Sequence, residues 1–246
     1  MLQGFYSAAS GMLMQQRHLN VISNNLANAQ TPGYKTNRLL SETFSQTLLR
    51  IERDNTAPIG THEATRVVSE VADLWTEGGV QETDRPFDLA ITGYGFFNIR
   101  GEDGETYLTR NGMFDLDDEG YLMLRGQGRV LGVGGTPLRL NINEITVEQD
   151  GTILNAITGA NMGRLMLTMP TQNAAVTAQR NGMYTATAVE NAPNPMVEQG
   201  GYENSNVNLS DELSAMIMTQ RNFSTAAQAL KLIDQSYSLT VKIGQI

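Results

Sequence analysis

The sequence predicts an α+β protein, in which long N- and C-terminal helices pack together as in a coiled coil and a mainly antiparallel β domain is inserted between them. At both ends of the 246-residue chain, apolar residues recur at alternating spacings of three and four, whereas short apolar runs between turn residues fill the middle. The net charge of −9 is unevenly distributed along the chain. The charges of residues 1–41 sum to +3 and those of residues 207–246 sum to zero, which leaves −12 on residues 42–206. We therefore expect the ends to be covered by other helices and the middle to face water.

Residues 1–35 are predicted to form a helix and the turn that ends it. The segment NNLANAQTPGYK closes this part, and Pro32-Gly33 predicts a type II turn, because glycine adopts the required positive φ without strain. A second, partial apolar stripe passes through Tyr6 and Leu13. The main stripe comprises Leu2, Phe5, Ala9, Met12, Gln16, Leu19, Ser23 and Leu26.

Residues 36–85 are predicted to be a connector. Within it, the sequence SETFSQTLLRIER is compatible with a short amphipathic helix through Phe44, Leu48 and Ile51. The residues that follow, with a proline and a glycine at positions 58 and 60, predict an extended chain.

Residues 86–190 are predicted to form the antiparallel β domain. Residues 87–91 and 165–169 alternate in hydrophobicity, as half-buried strands do. Paired turn residues at short intervals are typical of antiparallel hairpins. These pairs are Asp103-Gly104, Asn111-Gly112, Glu119-Gly120, Asp150-Gly151 and Asn181-Gly182. Residues 191–207, which contain two prolines and a Gly-Gly pair, are predicted to be a return linker.

Residues 208–246 are predicted to form the C-terminal helix, with Asn208 as its cap and Asp211 as an acid in its first turn. One seam between two helices does not cover both apolar stripes of this helix, so further partner helices are implied. The main stripe comprises Leu209, Leu213, Met216, Gln220, Phe223, Ala227, Leu230, Asp234, Tyr237 and Val241. The second comprises Ile217, Leu232, Leu239 and Ile243.

We predict no catalytic, cofactor-binding or metal-binding residues. Asp115, Asp117 and Glu119 fall at ligand positions of a calcium loop, but its twelfth position is Gly126 and no flanking helices are predicted, so a solvated hairpin turn is favoured. The glycine-rich run 126–135 lacks the GxGxxG spacing, which favours turn and bulge glycines over a phosphate loop.

Composition argues against several other classes. The two histidines, His18 and His62, share no ligand spacing, and the chain has no cysteine. No basic patch is available for nucleic acid, and no apolar run approaches the roughly 20 residues that span a bilayer. The first residues, MLQGFYSAASGMLMQQRHLN, lack the basic and apolar regions of a secretory signal, so we expect any export to proceed without a cleaved signal peptide.

Several motifs resemble, in the same order along the chain, those of the bacterial flagellar rod and hook proteins. The resemblance covers nearly the whole chain and is greatest to the distal-rod type, with the proximal-rod type next. Hook proteins usually carry a much larger middle insertion. The motifs are AASGM (8–12), NVISNNLANAQTPGYK (20–35), DLAITGYGFF (88–97), YLTRNGMFDLDDEGYL (107–122) and YENSNVNLSDELSAMIMTQRNF (202–223).

The resemblance implies a structural subunit rather than an enzyme. Members of this family place the terminal helices in an inner layer and the β domain in an outer layer, and they stack helically into a hollow axial tube. They are exported unfolded by the flagellar type III apparatus. The implied partners are further copies of the chain, other rod and hook subunits, the export apparatus and, at the outer surface, a bushing ring or peptidoglycan. The implied location is the basal body, outside the cytoplasmic membrane.

The predicted assembly residues lie on the two helices and in the turn. Asn24, Asn25 and Asn28 are expected to hydrogen-bond across subunits, because amides avoid the cost of burying unpaired charge. Replacing Gly33 by valine is expected to strain the turn and block assembly without unfolding the β domain. The full set is Leu2, Phe5, Ala9, Met12, Leu19, Asn24, Asn25, Leu26, Asn28, Pro32, Gly33, Leu213, Met216, Gln220, Phe223, Leu230 and Tyr237.

An alternative function is a glycan-binding or wall-acting β domain whose terminal helices serve oligomerisation. This alternative predicts a cleft with converging carboxylates and helices that are ordered in the free protein. The hypothesis of a self-assembling structural subunit predicts loosely ordered ends and no such cleft.

Overall fold

The computed structural model describes residues 2–47, 61–172, 174–179 and 182–243. Helices α1 (Leu2–Ala27) and α2 (Leu209–Ile243) occupy the two ends of the chain, and the segments between them form antiparallel strands, so the predicted α+β class is confirmed. The strands are β1 (Asn37–Thr47), β2 (Thr61–Asp73), β3 (Val80–Glu82), β4 (Leu89–Thr92), β5 (Phe96–Arg100), β6 (Thr106–Thr109), β7 (Phe114–Leu116), β8 (Leu122–Leu124), β9 (Gly128–Val130), β10 (Ile145–Val147), β11 (Thr152–Asn155), β12 (Asn161–Arg164), β13 (Leu167–Pro170), β14 (Val176–Ala178), β15 (Met183–Ala186), β16 (Val189–Asn191), β17 (Met196–Gln199) and β18 (Gly201–Glu203).

The chain divides into two compact units. The helical unit consists of Met1–Ala27, Asn37–Leu74 and Asn208–Ile246, and the β unit consists of Asn28–Thr36 and Trp75–Val207. In the helical unit, α1 packs along α2, and the antiparallel pair of β1 and β2 packs against α1. The β unit includes residues 28–36, which the sequence analysis grouped with the first helix.

Residues 41–47 belong to strand β1, so the short helix considered for residues 41–53 is wrong over this part. The three apolar positions behind that interpretation are too few to distinguish a helix from a strand. Pairing with the next strand, β2, which is rich in Val and Thr, decides the outcome. Residues 48–60, including Leu48, Ile51 and the predicted extended chain, lie outside the described residues.

The predicted cap of the second helix is confirmed. The Asn208 side-chain oxygen accepts hydrogen bonds from the backbone N–H groups of Ser210 at 3.1 Å and Asp211 at 3.4 Å. Asp211 and Glu212 place negative charge in the first turn, where the helix dipole favours it.

The β unit is built around one large antiparallel sheet. Its strand order is β14-β15-β6-β5-β9-β8-β7, with β13 and β16 attached through β5. Smaller sheets contain β10-β11-β12, β4-β17 and β3-β18. Side chains from these sheets form a continuous core that includes the fully buried Phe97, Ile99, Phe114, Leu122 and Ile153.

The predicted turn pairs mostly join neighbouring strands. Gly104, Gly120 and Gly151 have positive φ and lie between strands that pair with each other. Gly112 has another role, because it packs on the main chain of Leu89, where a Cβ would overlap the carbonyl oxygen. That glycine is therefore required for close approach of two segments rather than for a hairpin.

The segment predicted as a return linker contains strands β17 and β18. β17 pairs with β4 and β18 pairs with β3, so residues 196–203 complete the β unit. The prolines that suggested a linker precede β17, and Gly200 separates β17 from β18, whose first residue is Gly201.

Candidate assembly surfaces and the chain junction

Helices α1 and α2 pack against each other, and part of each predicted stripe is half-buried. Within the helical unit, seven stripe residues are half-buried, which is the pattern of a seam covered from one side. They are Ala9, Met12, Leu19, Leu26, Met216, Phe223 and Leu230. The remaining described stripe residues of the predicted set are more exposed, with Phe5 at 41%, Leu213 at 43% and Tyr237 at 48%. The side chain of Leu2 lies outside the described residues.

A second set of apolar side chains on the helices stays exposed. Leu13 of α1 is 58% exposed, and Leu232 of α2 is 66% exposed. Ile217, Met218 and Leu239 of α2 are also more than half exposed. Among the described side chains, one chain thus leaves four members of the second predicted stripe open to solvent, namely Leu13, Ile217, Leu232 and Leu239. Such a set of large apolar side chains marks an interaction surface.

Asn25 ties the end of α1 to two other segments of the helical unit. Its side chain is 1% exposed. Its amide nitrogen donates to the carbonyl of Asn37 at 2.9 Å and to Oε1 of Glu212 at 3.0 Å, and its oxygen accepts from the N–H of Asn37 at 2.9 Å. The structure therefore uses Asn25 inside one chain, at a position where another subunit has no access to it.

The other two asparagines have different surroundings. Asn24 is exposed on α1. Asn28 is half-buried in the β unit, where its carbonyl accepts the N–H of Thr31 at 3.0 Å and its side-chain oxygen accepts the Thr31 hydroxyl at 3.2 Å. Asn28 thus shapes the first of two successive turns.

The second turn matches the predicted type II geometry. The N–H of Tyr34 donates to the carbonyl of Thr31 at 3.2 Å, and Gly33 has φ +69°. Gly33 also donates its N–H to the carbonyl of Glu203 at 2.7 Å. A Cβ at Gly33 would overlap the backbone of Arg110, so two independent constraints require glycine here.

A buried ionic cluster follows the turn. Nζ of Lys35 lies 2.6 Å from Oε1 of Glu203, and Nη1 of Arg110 lies 3.2 Å from Oε2. The same Oε1 accepts the N–H of Gly78 at 2.8 Å, and Lys35 also donates to the carbonyl of Thr76 at 2.8 Å. All three charged side chains are at most 6% exposed, so one carboxylate faces two cations with little water present.

Burial sets the electrostatics of this cluster. Loss of hydration lowers the pKa of Lys35, and the hydrogen bond and charge of Glu203 oppose this shift only in part. The guanidinium of Arg110 adds to the lowering through like-charge repulsion. Removing the single carboxylate would therefore leave two poorly hydrated cations facing each other.

Asn206 completes what we call the junction, the place in the β unit where residues 34–36, 76–78 and 203–206 meet. Its side-chain oxygen accepts the N–H and the hydroxyl of Thr36, both at 2.7 Å. Its amide nitrogen donates to the carbonyl of Thr76 at 3.0 Å. The junction thus holds together three segments that are far apart in sequence.

Sequence reasoning did not single out Lys35, Arg110, Glu203 or Asn206. A usable signal was present, because Lys35 is the only charged residue between positions 19 and 37 and Glu203 is the only one between 199 and 210. Lysine and glutamate are almost never fully buried unless they are paired, so an isolated charge in an uncharged segment calls for a search for its partner.

In the acidic hairpin considered as a calcium loop, two aspartates form ion pairs and hydrogen bonds with other groups of the same chain. Asp115 pairs with Arg125 at 2.6 Å, and Asp117 pairs with Arg129 at 2.8 Å. Asp117 also accepts the N–H groups of Glu119 and Tyr121. In the described part of the chain, no three Asp, Glu, His or Cys side chains form a group suited to a metal ion. Likewise, none of the described helices has the length and apolarity that crossing a membrane requires.

Comparison with known proteins yields matches along nearly the whole chain. Residues 5–35 match the family described as "Flagella basal body rod protein", residues 90–155 match "Flagellar hook protein FlgE/F/G D1 domain", and residues 198–242 match "Flagellar basal body rod FlgEFG protein C-terminal". These segments include α1 with the turn, most of the large sheet, and α2.

Full-length relatives are similar throughout. The flagellar basal-body rod protein FlgG of Buchnera aphidicola subsp. Schizaphis graminum is 30% identical over 96% of this chain and 97% of its own length. FlgG of Bacillus subtilis is 30% identical over 96% of each chain. The flagellar basal-body rod protein FlgF of Caulobacter vibrioides is 29% identical over 98% of each chain.

Proposed function

Because the chain belongs to the flagellar basal-body rod protein family and is a structural subunit of the rod, we propose that it assembles helically with copies of itself into a hollow axial tube. This tube serves as a drive shaft and as an export channel. The family is one of structural proteins, and its place is the flagellum. The distal part of the rod is our preferred position, although relatives named FlgG and FlgF are both similar to this chain.

The observation that carries the proposal is the uncovered apolar surface of the helices. Leu13, Ile217 and Leu232 are 55–66% exposed in a single chain. Burial of a large aliphatic side chain contributes about 1.5–3 kcal/mol, so covering several of them favours association. In a helical polymer each pair of helices lies among those of neighbouring copies, which supplies this cover without a further partner.

The proposed interface combines the exposed stripe with accessible members of the predicted set, such as Phe5, Asn24, Leu213, Gln220 and Tyr237. Asn25, Pro32 and Gly33 act differently in this proposal, since they fix the path of each chain and so position the surfaces that meet. The half-buried seam residues support the helix pair within one chain.

Other rod and hook subunits are the proposed partners at the two ends of the tube. The flagellar export apparatus is proposed to deliver the unfolded chain across the cytoplasmic membrane without a cleaved signal peptide. The acidic β units are proposed to form the outer layer, where they meet a bushing ring or peptidoglycan in the periplasm or cell wall.

The decisive test is mass spectrometry of hook–basal bodies purified from the source organism, with quantification of this chain against other rod and hook subunits. We expect many copies of this chain in particles that retain their rods. Particles from cells that lack the chain provide the control, and they should end before the hook. Intact rods without this chain would overturn the proposal and return attention to the wall-acting alternative.

A further inference from the structure

Tyr94 lies at the tip of the turn between β4 and β5, where its side chain is exposed to solvent. Its side chain is 79% exposed, and its neighbours Gly93 and Gly95 have φ values of +90° and +143°. The turn is fixed from beneath by the buried Arg110, which donates to the carbonyls of Ile91 at 3.1 Å and Gly93 at 2.5 Å. An aromatic ring on a fixed backbone loses little conformational entropy when a partner buries it.

A second exposed apolar side chain lies beside this turn. Met196 is 46% exposed and begins β17, which pairs with β4. The loop before Met196 touches the turn, since a Cβ on Gly95 would lie 3.2 Å from the Cβ of Ala192. We define the Tyr94 patch as Tyr94, Met196 and the loops 93–95 and 192–195.

The Tyr94 patch is uncharged, although the domain that carries it is acidic. Residues 89–98 and 191–197 contain no charged side chain, whereas the β unit, residues 28–36 and 75–207, contains 17 acidic and 9 basic residues, a net charge of −8. The guanidinium that supports the turn is neutralised by Glu203, whose Oε2 lies 3.2 Å from Nη1 of Arg110. Two acidic copies repel each other wherever their charged surfaces meet, so they approach at the lowest electrostatic cost through an uncharged apolar patch.

We propose that the Tyr94 patch is a contact between the β units of neighbouring copies of this chain, with Tyr94 as the anchor that becomes buried in the next copy. The proposal rests on the proposed self-assembly, and it adds to the helix contacts a second, separate contact made by the β unit. Tyrosine is among the residues that most often dominate the energy of such interfaces.

The test uses the full chain in cells, with the photo-crosslinking amino acid p-benzoyl-L-phenylalanine at one position per variant. The three positions are Tyr94, Ile217 on the exposed helix surface, and Ile157 as a matched control that is 78% exposed elsewhere on the β unit. Purified basal bodies are irradiated, and cross-linked peptides are identified by mass spectrometry. We expect links between two copies from positions 94 and 217 and a much lower yield from position 157.

The results at the three positions distinguish failure of the Tyr94 patch from failure of self-assembly. Self-links from position 217 without self-links from position 94 overturn the Tyr94 patch and leave self-assembly standing, whereas self-links from neither position overturn both. Links from position 94 to a different protein alone, or equal self-links from positions 94 and 157, also overturn the patch. If the bulky probe blocks incorporation, Tyr94→Phe should assemble like wild type and Tyr94→Ala should reduce incorporation about tenfold, the loss expected of an anchor residue. Normal incorporation of Tyr94→Ala overturns the patch.

Discussion

Nζ of Lys35 lies 2.6 Å from Oε1 of Glu203, and both side chains are only 2% exposed. The lysine follows the turn that ends α1, and the glutamate ends the last strand of the β unit, 168 residues further along the chain. This ion pair therefore joins the first segment of the β unit, residues 28–36, to its last strand, β18, and the fold of the unit depends on both.

Glu203→Gln should strongly destabilise the β unit. The change leaves Lys35 and Arg110 buried together without a carboxylate, and breaking a buried ionic cluster in this way costs about 3–5 kcal/mol. Lys35→Met is the matched control, because it leaves one carboxylate with one cation, and it should destabilise the β unit clearly less than Glu203→Gln does. Trp75, the only tryptophan, packs on Phe96 and Tyr184, so its fluorescence during urea unfolding reports on this unit. Equal stabilities of the two variants would contradict the account.

The stability contributed by Lys35 should depend on pH. Burial lowers its pKa in the folded chain below the ordinary value of 10.5. Between the lowered pKa and 10.5, the unfolded chain binds more protons at this side chain than the folded chain, so the free energy of unfolding rises with pH in this interval. The measurement is the difference in unfolding free energy between wild type and Lys35→Met in alkaline buffers up to about pH 10.5. A difference that stays flat or falls would contradict the direction of the shift.

Gly33→Ala should impair both the junction and assembly. Alanine at φ +69° costs about 1–2 kcal/mol, and its Cβ would also overlap the backbone of Arg110, which adds to that cost. Gly159→Ala is a matched control, since Gly159 has φ +67° but no atom within 4 Å of a Cβ. We expect Gly159→Ala to lose only the conformational cost and to form rods, and Gly33→Ala to be the less stable and to enter rods poorly. Similar urea midpoints for the two purified variants would show that the close approach does not matter.

Asn25→Ala should weaken the helical unit. It removes a partner of both backbone groups of Asn37 and of the Glu212 carboxylate. These residues are half-buried, so each lost hydrogen bond costs about 1 kcal/mol, the lower end of the range for a buried group left without a partner. Asn20→Ala, at an exposed position of α1 outside the proposed interface, is the control. The urea midpoint of the free chain, followed by circular dichroism, should fall clearly for Asn25→Ala and much less for Asn20→Ala. Equal midpoints for the two variants would contradict a role of Asn25 inside the single chain.

The sequence predicted those features that depend on local pattern. The two helices, the Asn208 cap and the glycine-bearing turn at Gly33 follow from periodicity and from backbone preferences of single residues. Strand β1 and the junction did not follow, because β1 depends on pairing with the next strand, β2, and the junction depends on segments far apart in the chain. Nothing local to Lys35 names Glu203 as its partner, and nothing local to Gly112 reveals the main chain of Leu89 against it.

Leu232→Ser should weaken assembly while leaving the single chain almost unchanged. Leu232 is 66% exposed on α2, so a polar side chain costs little there in a free subunit, whereas in the proposed polymer it removes about 1.5–3 kcal/mol of burial per copy. Phe223→Ser is the comparison, since Phe223 is half-buried in the seam and its loss should also loosen α1 from α2. Incorporation into basal bodies, measured by mass spectrometry, should fall for both variants. Helix content of the free chain, measured by circular dichroism, should fall only for Phe223→Ser. Full incorporation of Leu232→Ser would mean that the exposed stripe stays uncovered in the rod and that the subunits meet through another surface.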